Sequence, residues 1–267
     1  MPHMPLANYH THTPRCLHAV GSEEEYIRAA LSQGYGVLGF SDHTPWDWAT
    51  MPHNLRAIRM RAEELEDYVS VLRALREAYA GQLELHIGLE AEYFPEGMPW
   101  LAEQREKLGI EYLLLGCHYD RIGPGSVYLG RPRSDDDIRR YADLVQAGLE
   151  SGQFVCLAHP DLFLNRWSDF SPVVETACRQ ICEAAVHTGT VLEYNLQGYL
   201  HHNKNSGMLG YTNDRFWRIA SEYPVRAIVG CDAHAPEELE GAALVHERQS
   251  FLRGMGIEVL ERMPGLG

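Results

Sequence analysis

Short apolar runs alternate with longer amphipathic stretches from one end of the chain to the other. The apolar runs, each of which predicts a β-strand, cover residues 6–10, 36–41, 83–90, 112–117, 154–158, 190–194 and 226–231. The stretches between them have helical spacing at residues 23–33, 54–79, 135–151, 172–187, 214–223 and 236–253. Ser22 followed by Glu25 is typical of a capped start for the first helix. Strands that alternate with helices in this way indicate an α/β protein with a parallel sheet.

Seven strand–helix units favour a closed or nearly closed barrel over an open, doubly wound sheet. The chain has 267 residues, and α/β barrels of about 200–250 residues or more fold as single domains. We therefore predict one barrel domain that spans residues 1–267. The helix predicted at 54–79 is longer than a barrel requires, and we expect it to cross one face or to form part of a subunit contact.

Composition and charge narrow the class of protein. With 45% hydrophobic and 22% charged residues the chain is typical of globular proteins. It has neither the roughly 18 consecutive apolar residues of a membrane span nor the pattern of a secretory signal, and we expect a cytoplasmic location. The net charge of −14 argues against binding to a nucleic-acid backbone. Six cysteines without a Cys-x-x-Cys pair predict reduced, mostly buried thiols.

Each predicted strand ends in side chains that can bind a metal. In chain order these are His10 and His12, Asp42 and His43, Glu90, His118, His159, Glu193 and Asn195, and finally Asp232 and His234. Catalytic groups of barrel enzymes gather where the C-terminal ends of the strands meet. Since residues i and i+2 of a strand point the same way, His10 and His12 can bind one ion.

Imidazole and carboxylate ligands suit zinc, iron or manganese. Clustered divalent ions activate water and neutralise phosphoryl oxygens, so the pattern predicts a metal-dependent phosphoester hydrolase with a small phosphorylated substrate. Three such ions would change the formal charge from −14 to −8 and concentrate the added charge in the site. A barrel amidohydrolase is disfavoured because none of the predicted strand ends carries a lysine.

The strand-end motifs resemble those of the polymerase-and-histidinol-phosphatase (PHP) family. The matching segments begin with Tyr9-His10-Thr11-His12-Thr13-Pro14, Cys16-Leu17-His18-Ala19 and Phe40-Ser41-Asp42-His43. They continue in the same order with Gly88-Leu89-Glu90, Gly116-Cys117-His118, Ala158-His159-Pro160-Asp161 and Gly230-Cys231-Asp232-Ala233-His234. The resemblance spans about residues 6 to 240 and implies a distorted, TIM-like (β/α)7 barrel with a metal site at the C-terminal face of its strands.

The resemblance also implies which residues bind three divalent ions, whether zinc, iron or manganese. His10, His12, Glu90 and Asp232 would hold the first ion. Glu90 would bridge to a second ion that His118 and His159 complete. His18, His43 and His234 would hold the third. His18 lies in a predicted loop and is a candidate only because of the resemblance.

Within the family, this chain resembles the stand-alone phosphatases, since it lacks a polymerase or nuclease extension. That implies hydrolysis of L-histidinol phosphate to L-histidinol and phosphate by a metal-bridging hydroxide. A nucleotide, a sugar phosphate or a cyclic phosphodiester is the alternative substrate. A non-catalytic metal-binding module is disfavoured because the ligand set is complete. Asp42 and Asp232 are candidate catalytic groups that would assist the leaving alkoxide, and the sequence does not choose between them.

Substrate contacts are harder to assign. Family members often carry a basic stretch after His-Pro-Asp-Leu, whereas here only Arg166 is basic, so Arg166 is the candidate phosphate contact, with a surface arginine as the alternative. Asn195 is a second candidate, with a structural hydrogen-bonding role as the alternative. Trp46 and Trp48 are candidates to cover a pocket at the barrel mouth. The sequence does not indicate the oligomeric state.

Overall fold

The computed structural model describes residues 5–46, 58–202 and 207–266. Within these ranges one sheet contains eight strands in chain order, each parallel to the next. The strands are β1 Leu6–Asn8, β2 Tyr35–His43, β3 Glu84–Ala91, β4 Tyr112–Leu115, β5 Cys156–Leu157, β6 Val191–Asn195, β7 Arg226–Gly230 and β8 Glu258–Val259. The predicted α/β class and parallel sheet are therefore confirmed.

Helices cover the outside of the sheet between the strands. They are α1 Glu23–Ser32, α2 Leu65–Ala78, α3 Met98–Leu108, α4 Asp135–Glu150, α5 Pro172–Thr188, α6 Asp214–Ala220 and α7 Ala242–Gly254. The capping box at the start of α1 is formed as predicted. The sequence missed α3 because its apolar pattern is weak, with only Leu101 and Leu108 buried. None of the helices in the described ranges is long and apolar enough to cross a membrane.

The prediction of a long helix at 54–79 was wrong for the first part of that range. Residues 54–57 lie outside the described residues, as does Trp48. Residues 58–61 are not helical, a 3-10 turn follows at Ala62–Glu64, and α2 begins at Leu65. Arg59 and Met60 are fully buried, so this stretch packs into the protein instead of continuing an amphipathic helix.

The sheet curls until its first and seventh strands meet at their C-terminal ends. There Thr11 and Ala233 form a parallel bridge, and the His12 amide donates to the Ala233 carbonyl at 2.9 Å. At the opposite end β7 pairs instead with β8, a two-residue strand that the sequence analysis missed. Strands β1 and β7 are thus neighbours at this end, as a nearly closed barrel requires, and the barrel is distorted because β8 extends the sheet at the other end only.

Tyr112 of β4 fills the middle of the barrel. Its hydroxyl donates to the Tyr9 carbonyl at 2.7 Å, and a Cβ at Gly39 or Gly88 would collide with the Tyr112 side chain. Tyr112 belongs to a cluster of buried apolar residues that includes Val191 of β6. Further along the strands the interior becomes polar, because the residues two positions onward include Glu90 of β3 and Glu193 of β6. The apolar layer therefore forms the floor on which the polar end of the barrel rests.

Candidate metal centre

The predicted metal ligands come together at the C-terminal ends of the strands. They surround a cavity of about 660 Å³ whose lining includes His18, His43, Glu90, His118, His159, Asp232 and His234. His10 and His12 lie just below this lining and are buried. The ends of different strands and the loops that follow them thus bring together residues separated by more than 200 positions in the chain.

Four ligand atoms form a compact first group. His12 Nε2 lies 3.2 Å from His10 Nε2 and 3.1 Å from Asp232 Oδ1, and His10 Nε2 lies 3.3 Å from Asp232 Oδ1. Glu90 Oε2 is 3.5 Å from His10 Nε2 and 3.6 Å from His12 Nε2. A tetrahedral zinc site with bonds of about 2.1 Å has ligand–ligand edges of about 3.4 Å. The spacing therefore fits one ion.

The other oxygen of Glu90 belongs to a second group. Glu90 Oε1 lies 2.9 Å from His159 Nε2 and 3.3 Å from His118 Nε2. The two imidazole nitrogens are themselves 3.3 Å apart. Three protein ligands leave coordination positions for water or substrate, as in catalytic metal sites. One carboxylate thus faces both groups, each with a different oxygen.

The remaining three histidines are more widely spaced. The ring centroids of His18 and His234 are 4.6 Å apart, and those of His18 and His43 are 5.4 Å apart. Ligand atoms of His43 and His234 also lie within 4.8 Å of one another and of a His12 nitrogen. This group can accommodate an ion, but the choice of His18, His43 and His234 as its ligands stays a prediction.

Hydrogen bonds on the far side of several imidazoles fix which nitrogen faces the cavity. His18 Nδ1 lies 2.8 Å from the Cys16 carbonyl and His234 Nδ1 lies 2.9 Å from the Asp232 carbonyl. A carbonyl only accepts hydrogen bonds, so each Nδ1 carries the proton and each Nε2 keeps its lone pair. His234 Nε2 is buried and makes no hydrogen bond within the described ranges, and the atoms near Glu90 Oε2 are imidazole nitrogens, with His43 Nδ1 at 3.0 Å. Such lone pairs are suited to a cation, and this donor set fits divalent metals.

The charge states of the ligands are compatible with metal binding. Burial alone would raise the pKa of Glu90, but the nearby imidazoles of His118 and His10 outweigh it and hold that pKa well below its usual value. The pKa of Asp232 is lowered in the same way by His10 and His12 against the effect of burial. Burial and the neighbouring His12 lower the pKa of His234 to about 3. These carboxylates are ionised and His234 is neutral, which are the forms that bind metals.

His12 differs from His234 because carboxylates surround it. Burial opposes its protonation, but hydrogen bonds with Asp232 and Asp42 raise its pKa to about 9. In the protein without metal a proton therefore satisfies the carboxylates around His12. Metal binding replaces this proton, so we expect binding to release protons.

Two ligands have strained backbones. His159 has a φ of 31° and Asp232 a φ of 52°. Residues other than glycine pay about 1–3 kcal/mol in sparsely populated conformations of this kind, which cluster at functional sites. Each residue lies two positions after the last residue of its strand, and both side chains line the cavity.

Asp42, a predicted catalytic residue, does not reach the cavity. It is fully buried behind His12, and its Oδ1 lies 3.5 Å from His12 Nδ1. Its oxygens accept hydrogen bonds from the His43 amide at 2.8 Å and from the amide and hydroxyl of Thr13. Because neighbouring residues of a strand face opposite sides, His43 faces the cavity and Asp42 points away. Its contacts are those of a residue that orients His12. Asp232 does line the cavity, and its catalytic role stays a prediction.

Asn195, a predicted substrate contact, is also occupied by the protein. Its Nδ2 donates to Asp232 Oδ2 at 3.0 Å and to Glu193 Oε2 at 2.8 Å, and its Oδ1 accepts from the Gly198 amide. These hydrogen bonds support the structural alternative for this residue, and its role as a substrate contact stays a prediction. Glu193 was predicted to lie at a strand end, but no role was predicted for it. Its Oε1 lies 2.8 Å from His10 Nδ1, so it also contacts a proposed metal ligand. In the sequence, only its position at a strand end indicated that Glu193 could belong to the site.

The structure does not bring Arg166, the other predicted substrate contact, to the cavity. The turn Leu162–Leu164 buries its three apolar side chains and leaves Arg166 exposed to solvent. Arg131, in the segment after β4, lines the cavity instead. No salt bridge joins Arg131 to a described residue. Arg131 lies in a long loop and not at a strand end, so the sequence pattern did not identify it as a site residue. Trp46, a candidate to cover a pocket at the barrel mouth, is not in the lining of this cavity; it is buried, borders a separate cavity, and its indole donates to Glu92 at 2.8 Å.

The six cysteines are free and buried, as predicted. None of them is paired, so the fold depends on its packed core and on the polar contacts described above.

Among known proteins, the chain is 28% identical over 240 residues to the "Probable histidinol-phosphatase" of Deinococcus radiodurans, with 88% of each protein covered. It is 26% identical over 282 residues to the "Probable histidinol-phosphatase" of Schizosaccharomyces pombe, with 96% of this chain and 89% of that protein covered.

The fold is similar to that of histidinol phosphate phosphatase from Lactococcus lactis, whose crystal structure contains zinc, L-histidinol and phosphate. The TM-score is 0.73 with 12% sequence identity, and the match covers 96% of this chain and 95% of that one. At that identity the similarity concerns the fold. The family model of the PHP domain matches residues 8–197, which is more than two thirds of the sequence. The chain therefore belongs to the PHP domain family.

Proposed function

We propose that this protein is a metal-dependent phosphomonoesterase that hydrolyses L-histidinol phosphate to L-histidinol and phosphate. The observation that carries the proposal is the Glu90 carboxylate, whose two oxygens face two separate groups of ligand atoms at the base of one cavity. Relatives that align along most of the chain are named as histidinol-phosphatases. A protein of similar fold holds zinc together with both products of this reaction.

The contacts among the ligand atoms support the following division of three ions. His10, His12, Asp232 and Glu90 would hold one ion, and Glu90, His118 and His159 a second. His18, His43 and His234 would hold a third. Bound divalent ions of zinc, iron or manganese supply activation of water at neutral pH and charge that neutralises phosphoryl oxygens.

The chain's own residues bind and orient the ester. Arg131 is the arginine that lines the cavity, and its guanidinium can bind two phosphoryl oxygens at once. Tyr128 and Tyr211 line the same cavity. Burial raises the pKa of Tyr128 to about 12, so its hydroxyl stays protonated and can donate a hydrogen bond. Aromatic walls of this kind also suit the imidazole ring of the proposed substrate, which can stack on them.

Phosphate release measured on a panel of esters tests the substrate assignment. Metal-replete protein should hydrolyse L-histidinol phosphate with a kcat/KM at least about tenfold above nucleoside monophosphates, sugar phosphates and a cyclic phosphodiester, because one or two specific polar contacts contribute that much. Faster turnover of another ester would move the assignment to that substrate. Absence of turnover for every ester, with metals bound, would reject the phosphatase.

Three further expectations belong to this proposal. We infer a single domain over residues 1–267, a cytoplasmic location, and a small phosphorylated molecule as the partner, without nucleic acid or membrane. The net charge of −14 supports the absence of nucleic-acid binding. The others stay predictions.

A further inference from the structure

A buried ion pair lies directly behind one of the proposed metal ligands. The Arg59 guanidinium reaches Glu92 with two nitrogens, at 2.8 Å to Oε1 and 3.2 Å to Oε2. The Trp46 indole donates to Glu92 Oε2 at 2.8 Å. Arg59, Trp46 and Glu92 are all at least 98% buried. Both oxygens of the Glu92 carboxylate therefore accept hydrogen bonds from buried donors.

Such a pair needs a reason to be buried. Removing two charges from water costs several kcal/mol per ion, and apolar residues of similar volume are often at least as stabilising. Here two nitrogens of the Arg59 guanidinium bind the two carboxylate oxygens, which is the geometry of a carboxylate–guanidinium ion pair. The pair places a negative charge beside the cavity on a side chain that is almost completely buried.

That negative charge faces His118. Glu92 Oε1 lies 3.4 Å from His118 Nδ1, while His118 Nε2 on the opposite side of the ring lies 3.3 Å from both Glu90 Oε1 and His159 Nε2. An ionised carboxylate beside Nδ1 favours the tautomer with the proton on that nitrogen. The lone pair of Nε2 is then directed at the second ligand group.

The same cluster also supports Glu90. Arg59 donates to the Thr44 carbonyl at 2.9 Å. Thr44 in turn donates to the Glu90 carbonyl with its amide at 2.8 Å and its hydroxyl at 3.0 Å. Arg59 is therefore connected both to the carboxylate behind His118 and to the backbone of the residue that faces two ligand groups.

We propose that Glu92 is a positioning residue that holds His118 in the tautomer and orientation needed for the second metal, and that Arg59 and Trp46 hold Glu92 in place. This inference rests on the metal binding proposed above. It assigns to residues outside the ligand set a specific task, which is selective support of one ion. A purely structural role would lower the stability of the protein without a preference for one metal site.

Zinc titration of chelator-stripped protein, with a competing colorimetric chelator, tests the proposal. The Glu92→Gln variant should bind one zinc equivalent about 10–100-fold more weakly than the wild type, as is typical when the partner of a ligating histidine is removed. Its other equivalents should keep wild-type affinity. Equal affinity of every equivalent in the variant and the wild type would overturn the proposal. Failure of the wild type itself to bind zinc would instead reject the proposed function.

Two further variants keep the test decisive if Glu92→Gln folds poorly. The double variant Arg59→Met/Glu92→Gln removes both charges of the buried pair and should show the same weakened equivalent. Full recovery of zinc affinity in the double variant would mean that unpaired Arg59, and not loss of the carboxylate, caused the defect. The matched control is Glu111→Gln, which removes the carboxylate beside His86 at the other end of the barrel. This control should lower the free energy of unfolding and leave all zinc affinities unchanged.

Discussion

Histidines lie among carboxylates at both ends of the barrel, but the two ends are built differently. At the N-terminal end His86 has one carboxylate for each nitrogen, with Glu111 2.8 Å from Nδ1 and Glu84 2.7 Å from Nε2. At the C-terminal end His118 and His159 direct Nε2 at each other and at the same oxygen of Glu90. One arrangement satisfies every nitrogen, and the other makes several lone pairs converge.

The surrounding cations confirm this contrast. Arg76 pairs with Glu111 at 2.5 Å and Arg262 pairs with Glu84 at 3.0 Å, so the N-terminal cluster is complete without any ion. In the described part of the chain, Glu90 and Asp232 form ion contacts with histidines only. A metal centre is therefore recognised by the direction of its lone pairs and by missing positive charge, more than by its number of histidines.

Replacement of the shared carboxylate should have the largest effect. Glu90→Gln removes the charge that faces two ligand groups, so kcat should fall by more than about 10³-fold. Bound metal, measured by elemental analysis, should fall by at least one equivalent. At the N-terminal end, Glu84→Gln should keep wild-type kcat and metal content. If Glu90→Gln kept wild-type activity, the C-terminal cluster would not be the metal centre that distinguishes it from the N-terminal cluster.

Metal removal should destabilise the protein through its C-terminal end. Bound ions stabilise the folded state by about 2.7 kcal/mol per site when free metal is about 100 times the Kd. A chelator should therefore lower the Tm of the wild type measured by calorimetry. His86→Gln should show the same decrease from its own starting Tm, because His86 lies outside the centre. A much smaller decrease in Tm for His86→Gln would mean that His86 affects metal binding at the other end of the barrel.

The two arginines sharpen the comparison within the C-terminal end. Arg131→Ala should lower kcat/KM for L-histidinol phosphate by roughly 10–100-fold, since a charge-assisted hydrogen bond contributes about 1.5–3 kcal/mol. Arg166→Ala should stay within about twofold of the wild type, because an exposed residue away from the cavity has little effect. Steady-state phosphate release on the two variants decides this, and the reverse ranking would restore Arg166 as the phosphate contact.

The smallest expected effect is a dependence of stability on pH at the N-terminal end. Burial opposes protonation of His86, yet its hydrogen bonds with Glu111 and Glu84 raise its pKa above the ordinary value of 6.5. The protonated ring therefore stabilises the folded state fully below about pH 6.5, and this contribution is lost as the pH rises through the raised pKa.

Urea unfolding of the metal-free wild type and His86→Gln measures this contribution. We expect the wild type to be more stable by about 1 kcal/mol in mildly acidic solution, with the difference shrinking as the pH rises through the raised pKa of His86. A difference that grows with pH would mean that His86 is neutral in the folded protein.

Much of the metal centre could be predicted because its ligands follow a local rule. Strand β3 was predicted at 83–90 and lies at Glu84–Ala91, and the strand end alone identified Glu90. Alternation along an extended chain places His10 and His12 on one side, and parallel strands bring their C-terminal ends to one face. These properties depend on neighbouring residues, so the sequence contains them.

What depends on distant contacts could not be predicted in this way. Alternation separates Asp42 from His43 but does not say which of the two faces the cavity, and that choice is made by the packing of β2 against its neighbours. Arg59 and Glu92 are 33 positions apart and meet only in the folded protein.

By itself the sequence therefore determined the alternation of the first seven strands with helices, except for α3, and most of the residues that gather at the proposed metal centre. The tertiary structure decided which carboxylates face the cavity, which of them orient a histidine from behind, and that Arg131 lines the cavity while Arg166 faces solvent. The physical reason is that the period of a strand is a property of the local backbone, whereas the direction of a loop and the partner of a buried charge are set by long-range packing.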